Sequence, residues 1–249
     1  MRERAAFLKP IAHRGLHNPA RGIVENTVPA FEAAIAKGYG IECDVRPAGC
    51  GTPMVFHDLT LERLIEADGA VAGRDAAALK ALRYRDAGGS MIDLSELLEL
   101  IGGRVPLLVE IKSEWDAPDA QFLRNIAETA SAYSGPVALM SFDPAVMATM
   151  RELAPAVPRG IVAQQFAADC EWRGKLGPER AYALTHLLES GPAAPDFYAY
   201  DVNALPTPIT RYVREVEGAP LFTWTVRTAE QRETAARWAD APIFEGYEP

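Results

Sequence analysis

The sequence predicts an α/β chain folded as a (β/α)8 TIM barrel, with a β-hairpin after the second strand and a missing or truncated final helix. Three observations carry this expectation. Eight short β-rich runs alternate with helical stretches, the order of a parallel sheet with crossover helices. The units recur about every 30 residues along a chain of 249, the usual size of such a barrel. No low-complexity segment, charge block or long linker divides the chain, so 1–249 reads as a single domain.

The strands fall at 10–13, 41–46, 107–112, 137–141, 160–163, 197–202, 221–226 and 243–245. A ninth run, 53–57, follows the second strand after the short Gly-containing link 48–52. So short a link suits a hairpin, because a parallel crossover needs about a dozen residues. Helices fill the gaps. In 26–37, Val28, Phe31 and Ile35 recur at helical spacing, with Asn26 as N-cap and Gly38 at C′. Further helices are expected at 76–82, 94–101, 119–131, 144–153, 178–189, 208–217 and 229–239. The sequence runs four residues past the last strand, which leaves no room for a closing helix there.

Composition excludes several classes. Lys and Arg number 25 against 34 Asp and Glu, a net charge of −9 that disfavours nucleic acid as a partner. No apolar run approaches the roughly 18 residues of a membrane span, and the apolar stretch 5–8 is too short for a signal peptide. Stable membrane insertion is not expected. Cys43, Cys50 and Cys170 are odd in number and scattered, which fits reduced thiols and a cytoplasmic location.

Two strands break the apolar rule in a regular way. In 41–46, Glu42 and Asp44 alternate with Ile41, Cys43 and Val45; in 107–112, Glu110 and Lys112 alternate with Leu107, Val109 and Ile111. Strand side chains alternate between faces, and helix-covered parallel strands are normally apolar on both. The charged set is therefore expected inside the barrel near its C-terminal mouth, where such barrels hold active sites. Three converging carboxylates need a counter-charge, and Glu42, Asp44 and Glu110 offer oxygen ligands suited to one divalent cation, Mg2+ or Ca2+. A paired-carboxylate glycosidase is a competing use, but it leaves the neighbouring cations unexplained.

Those cations are Arg14, at the end of the first strand, and Lys112. Together with a divalent ion they overbalance the three carboxylates by one positive charge, which a phosphodiester monoanion neutralises. His13 ends the first strand and His57 ends the hairpin strand; beside a metal and a phosphate both are candidates for proton transfer. His17 and His186 receive no role.

The motifs His13-Arg14-Gly15, Glu25-Asn26-Thr27 with Ala30-Phe31, Glu42-Cys43-Asp44-Val45, Val55-Phe56-His57-Asp58 and Glu110-Ile111-Lys112 follow one another in the order and spacing of the glycerophosphodiester phosphodiesterase family. Ser141-Phe142-Asp143 and Trp224-Thr225-Val226 agree more loosely. The resemblance spans nearly the whole chain. It implies a TIM-barrel enzyme that hydrolyses glycerophosphodiesters to glycerol 3-phosphate and an alcohol. Carried over, Glu42, Asp44 and Glu110 hold the metal, His13 and His57 form the acid–base pair, Arg14 and Lys112 bind phosphate, and Trp224 walls the substrate pocket. The role of Glu25 stays open. Two departures stand out: Cys50-Gly51 replaces the usual Asp-Gly turn, and the last strand lacks the usual Thr-Asp before its proline, ending instead in Phe244-Glu245-Gly246-Tyr247. The second puts barrel closure in question and leaves an edge that a second copy in a homodimer would cover.

The expected chemistry is attack by the glycerol 2-hydroxyl on phosphorus, with one histidine as base and His57 as acid, then hydrolysis of the cyclic phosphate. The alternatives are a lysophospholipase D or phosphoinositide phospholipase on the same barrel, and a non-catalytic glycerophosphodiester-binding barrel.

Overall fold

The strands close into a ring. The computed structural model describes residues 4–85, 89–117, 119–170 and 172–249. Its strands are β1 (Ile11–Ala12), β2 (Gly40–Pro47), β3 (Pro53–Val55), β4 (Leu107–Ile111), β5 (Val137–Ser141), β6 (Arg159–Ala163), β7 (Phe197–Asp201), β8 (Leu221–Val226) and β9 (Ala241–Phe244). All except β3 pair in parallel, in the order β1-β2-β4-β5-β6-β7-β8-β9, and β9 returns to β1. This is the eight-stranded TIM barrel that the sequence predicts. β3 lies outside the ring, antiparallel to β2, and the turn between them is closed by the Ala48 amide donating to the Thr52 carbonyl at 2.9 Å.

The helices are α1 (Arg4–Phe7), α2 (Val28–Lys37), α3 (Ala76–Lys80), α4 (Leu94–Ile101), α5 (Ala120–Ala132), α6 (Pro144–Leu153), α7 (Arg173–Thr185), α8 (Pro208–Glu215) and α9 (Ala229–Trp238). Local signals set several of their ends. Asp93 and Glu96 form a reciprocal capping box on α4, and Gly38 ends α2 in the left-handed region. Asn26 is not the N-cap of α2. Thr27 holds that position, and the Asn26 side chain donates to Asp44 instead. α7 begins five residues before the expected start because its first turn precedes a break at Gly177, ahead of Pro178. No helix among the described residues is long and apolar enough to cross a membrane.

Alternation sorts the side chains as expected. Ile41, Cys43, Val45, Leu107, Val109 and Ile111 face outward into the layer between sheet and helices. Leu108, Met140, Val162, Phe197, Phe222 and Ile243 fill the barrel interior, and Phe7 of α1 joins them from below. Full burial of one such aromatic stabilises by roughly 1.5–3 kcal/mol. The interior is tight enough to dictate a glycine: a Cβ on Gly160 would sit 2.2 Å from the Phe197 ring. A satellite core, including Met54, Phe56, Leu61, Ile65 and Leu79, lies under the long connection from β3 to α4.

Closure is resolved at β9, which pairs with β1 and β8. The residues after it cover the gap between α2 and α9. Tyr247 packs against Phe244, with ring centroids 5.4 Å apart, and under the Arg232 guanidinium; Glu248 pairs with Lys37 at 2.9 Å.

Candidate active site

The charged strand residues meet at the C-terminal mouth. The register sets Asp44 beside Glu110, with Glu42 one layer deeper beside Leu108. Glu42, Asp44 and Glu110 are buried, and each offers an oxygen within 4.8 Å of the others'. Lys112 reaches over them, with Nζ 2.8 Å from Asp44 Oδ1 and 2.5 Å from Glu110 Oε1.

Arg14 joins this cluster through its backbone as well as its side chain. Arg14 and Gly15 both take positive φ, 55° and 77°, which folds the chain sharply after β1. The Arg14 amide then donates to Glu42 Oε2 at 3.0 Å, its guanidinium to Glu25 at 2.7 Å, and its Nε lies 3.2 Å from Asp44. Gly15 is required twice, by its φ and because a Cβ would lie 2.8 Å from the Ala30 carbonyl carbon. Asn26, buried and also at positive φ, donates to Asp44 Oδ2 at 2.8 Å. The first two motifs are therefore scaffolds for the carboxylates on β2.

The electrostatics are unbalanced without a further cation. Burial drives the Glu42 carboxyl well up, and the neighbouring Asp44 and Glu110 charges push it further. Burial also penalises the Asp44 charge, but Lys112 and Arg14 outweigh it and hold this carboxyl well down. Glu42 Oε1 is buried with no hydrogen-bond partner. An orphaned carboxylate oxygen within an all-oxygen donor set fits a hard divalent cation.

Each histidine is held by a carboxylate that an arginine grips. His13 Nδ1 lies 2.7 Å from Glu245 Oε2, and Arg227 donates to both oxygens of Glu245 at 3.2 and 2.9 Å. His57 Nδ1 lies 2.7 Å from Asp58 Oδ1, and Arg63 donates to both oxygens of Asp58 at 2.5 and 3.0 Å. Burial raises both carboxyls, but these hydrogen bonds prevail and leave them below the usual range. An ionised carboxylate only accepts, so Nδ1 of each imidazole carries the proton and Nε2 faces the reaction. His13 Nε2 lies 3.9 Å from Glu42 Oε2. Burial lowers the pKa of this imidazole, against the opposing hydrogen bond that it donates to Glu245.

A cavity of about 550 Å3 is lined by His13, Arg14, Glu42, His57, Glu110, Lys112 and Trp224. Asp44, fully buried, lies beneath that surface. The eight side chains singled out from the sequence thus gather in one place. Across the cavity stands an aromatic half: Phe142 packs edge-on against Trp172 and Trp224, with centroids 5.0 and 5.2 Å away. Sequence reasoning gave no role to Glu245, Arg227 and Arg63. For Glu245 the available signal was its place just beyond the end of the last strand, at the functional rim of such barrels. Glu25, left without a role, bridges Arg14 and Arg63.

The sequence model of the Glycerophosphoryl diester phosphodiesterase family matches residues 13–244. The chain belongs to this family. A glycerophosphodiester phosphodiesterase from Caldanaerobacter subterraneus subsp. tengcongensis is 28% identical over 234 residues, covering 90% of this chain and 87% of the relative. Among solved structures, an Oleispira antarctica phosphodiesterase in complex with the product sn-glycerol-3-phosphate matches with a TM-score of 0.71 at 21% identity, over 95% of this chain and 92% of that one. The glycerophosphodiester phosphodiesterase of Thermotoga maritima matches with a TM-score of 0.70 at 23% identity, over 95% and 93%. The phosphodiesterase family membership makes this chain a phosphoric diester hydrolase on a TIM barrel.

Proposed function

We propose that this chain hydrolyses glycerophosphodiesters to glycerol 3-phosphate and an alcohol, with Mg2+ or Ca2+ held by Glu42, Asp44 and Glu110 and with His13 and His57 moving the protons. One observation carries the reading: three buried carboxylates converge with Arg14 and Lys112 at a cavity that both histidines line. A divalent cation bound there supplies Lewis-acid stabilisation of phosphoryl and hydroxyl oxygens.

The chain's own groups do the rest. Arg14 and Lys112 direct donors at the non-bridging oxygens, where charge builds in the transition state. With Nδ1 donating to Glu245, His13 offers Nε2 to accept the proton of the glycerol 2-hydroxyl as that oxygen attacks phosphorus. His57, acting as acid in its doubly protonated form, gives its Nε2 proton to the leaving alcohol as the P–O bond breaks and keeps the Nδ1 proton held by Asp58. Water then opens the cyclic phosphate, His57 taking its proton and His13 returning one to the 2-oxygen. Trp224 walls the side away from the carboxylates.

The test is release of glycerol 3-phosphate from a panel of glycerophosphodiesters, with and without chelator, for wild type and Glu110→Gln. Activity is expected only in the unchelated wild type. Chelator-resistant activity in both proteins would remove the metal assignment. Equal turnover of 2-deoxy analogues would remove the cyclic route.

The aromatic half of the cavity favours a second reading, cleavage of lysophospholipids whose acyl chain or cationic head group rests on Phe142, Trp172 and Trp224. Turnover of lysophosphatidylcholine above that of glycerophosphocholine would select it.

A further inference from the structure

His17 has no place in the chemistry above, yet its environment asks for a ligand. Its side chain is only 10% exposed, and among the described residues neither ring nitrogen has a partner at hydrogen-bond distance. A buried imidazole with both nitrogens unsatisfied calls for an explanation, and an ion is one of the few available. Glu245 Oε2 lies 3.8 Å from His17 Nε2, longer than a hydrogen bond. The same oxygen receives His13 Nδ1 at 2.7 Å. Two imidazoles and a carboxylate therefore converge on one point, with ligand atoms within 4.8 Å of one another.

We propose that His13, His17 and Glu245 form a second cation site, selective for an imidazole-preferring metal of the Zn2+ class, whose occupation inhibits the enzyme. The donor set separates it from the carboxylate cluster. Two nitrogens and one oxygen suit Zn2+, whereas Mg2+ and Ca2+ prefer oxygen alone. His17 does not line the catalytic cavity, so the site lies behind His13. Arg227, paired with Glu245, and Arg14, close enough to act on His13, both oppose a cation there. Glu245 has a second oxygen, Oε1, on which the Arg227 Nε donates at 3.2 Å, and that contact survives when Oε2 turns to a metal.

Inhibition follows from the imidazole tautomer. As the structure stands, His13 donates a hydrogen bond from Nδ1 to Glu245 and keeps an open lone pair on Nε2. A cation on Nδ1 displaces that proton to Nε2, with no net gain or loss. His13 then presents a donor where proton abstraction needs an acceptor. This inhibitory consequence rests on the hydrolytic reading above; the binding itself does not.

The experiment has two arms. In the first, Mg2+-supported hydrolysis of glycerophosphocholine is titrated with Zn2+ for wild type, His17→Ala and His17→Gln. Without Zn2+ the three rates are expected to agree. With Zn2+ the inhibition midpoint should rise at least about tenfold in the variants, since even lesser disturbances around metal ligands cost that much affinity. In the second arm, Co2+ is added as a spectroscopic stand-in to Glu110→Gln, which weakens the carboxylate cluster, and to Glu110→Gln/His17→Gln. A visible d–d absorption band in the first protein and its loss in the second supports the site. No band with His17 intact overturns the site. A shared Zn2+ midpoint, or a wild-type rate indifferent to Zn2+, overturns the inhibitory role. If no glycerophosphodiester is turned over, the hydrolytic reading fails, and the Co2+ arm still decides the site.

Discussion

The two histidine arms of the site use one device built in two ways. On each, a carboxylate accepts a hydrogen bond from Nδ1 and an arginine grips the carboxylate. On His57 the carboxylate is the next residue, Asp58, and the arginine is five positions further on. On His13 the carboxylate comes from 232 positions away, and Arg227 reaches it from beyond the end of β8. The His57 side chain is 30% exposed and that of His13 12%. A local arm can form wherever its short segment folds. The other exists only once β9 has docked against β1 and the ring is closed. The more buried and more remote arm should therefore be the more sensitive to the loss of its carboxylate.

Replacing the imidazoles tests the first level of this comparison. His13→Ala and His57→Ala should each lower kcat by roughly 10²–10⁴-fold, the range of general acid–base catalysis. A kcat within threefold of wild type for either would remove that histidine from the mechanism. Replacing the carboxylates separates the arms. Glu245→Gln should lower kcat about 10–100-fold with KM nearly unchanged, because the amide can offer His13 the wrong hydrogen-bond partner. Asp58→Asn should cost less, since water can reach His57 and hold its ring. The reverse order would break the argument from burial.

Acid should weaken both arms in the same direction. Glu245 and Asp58 are held below the ordinary carboxylate range in the folded chain. A depressed folded pKa means that the ionised groups stabilise the fold, fully so above the unfolded values of about 4. That contribution drains away as pH falls from there toward the depressed folded values. Urea midpoints should fall between pH 6 and pH 3, and less steeply in Glu245→Gln/Asp58→Asn. The smallest effect is remote from both arms. Asp93→Ala removes the capping box of α4 and should cost about 1 kcal/mol of stability by denaturant unfolding, with kcat intact. A fall in kcat would tie α4 to the site.

The site was legible wherever function and strand alternation coincide. Glu42, Asp44, Glu110 and Lys112 were found because charges at every second position are anomalous in a helix-covered strand, and the register then set Asp44 beside Glu110. Asn26 was misread because Asn before an amphipathic run is a common cap; here its amide is drawn to a buried carboxylate that sequence spacing cannot bring near. The doubtful closure was answered by packing that no pattern encodes, Tyr247 against Phe244 and Arg232.

The sequence by itself determined the barrel, the carboxylate and lysine face and the positions of both histidines, because period-two alternation and strand–helix order are local properties of a chain. Only the tertiary structure decided which nitrogen of His13 is free, what Glu25 joins, and that His17 stands next to Glu245. The Glu25 bridge joins residues 14 and 63, and the two histidine facts join the ends of the chain; ring closure and docking, not sequence distance, bring these groups together.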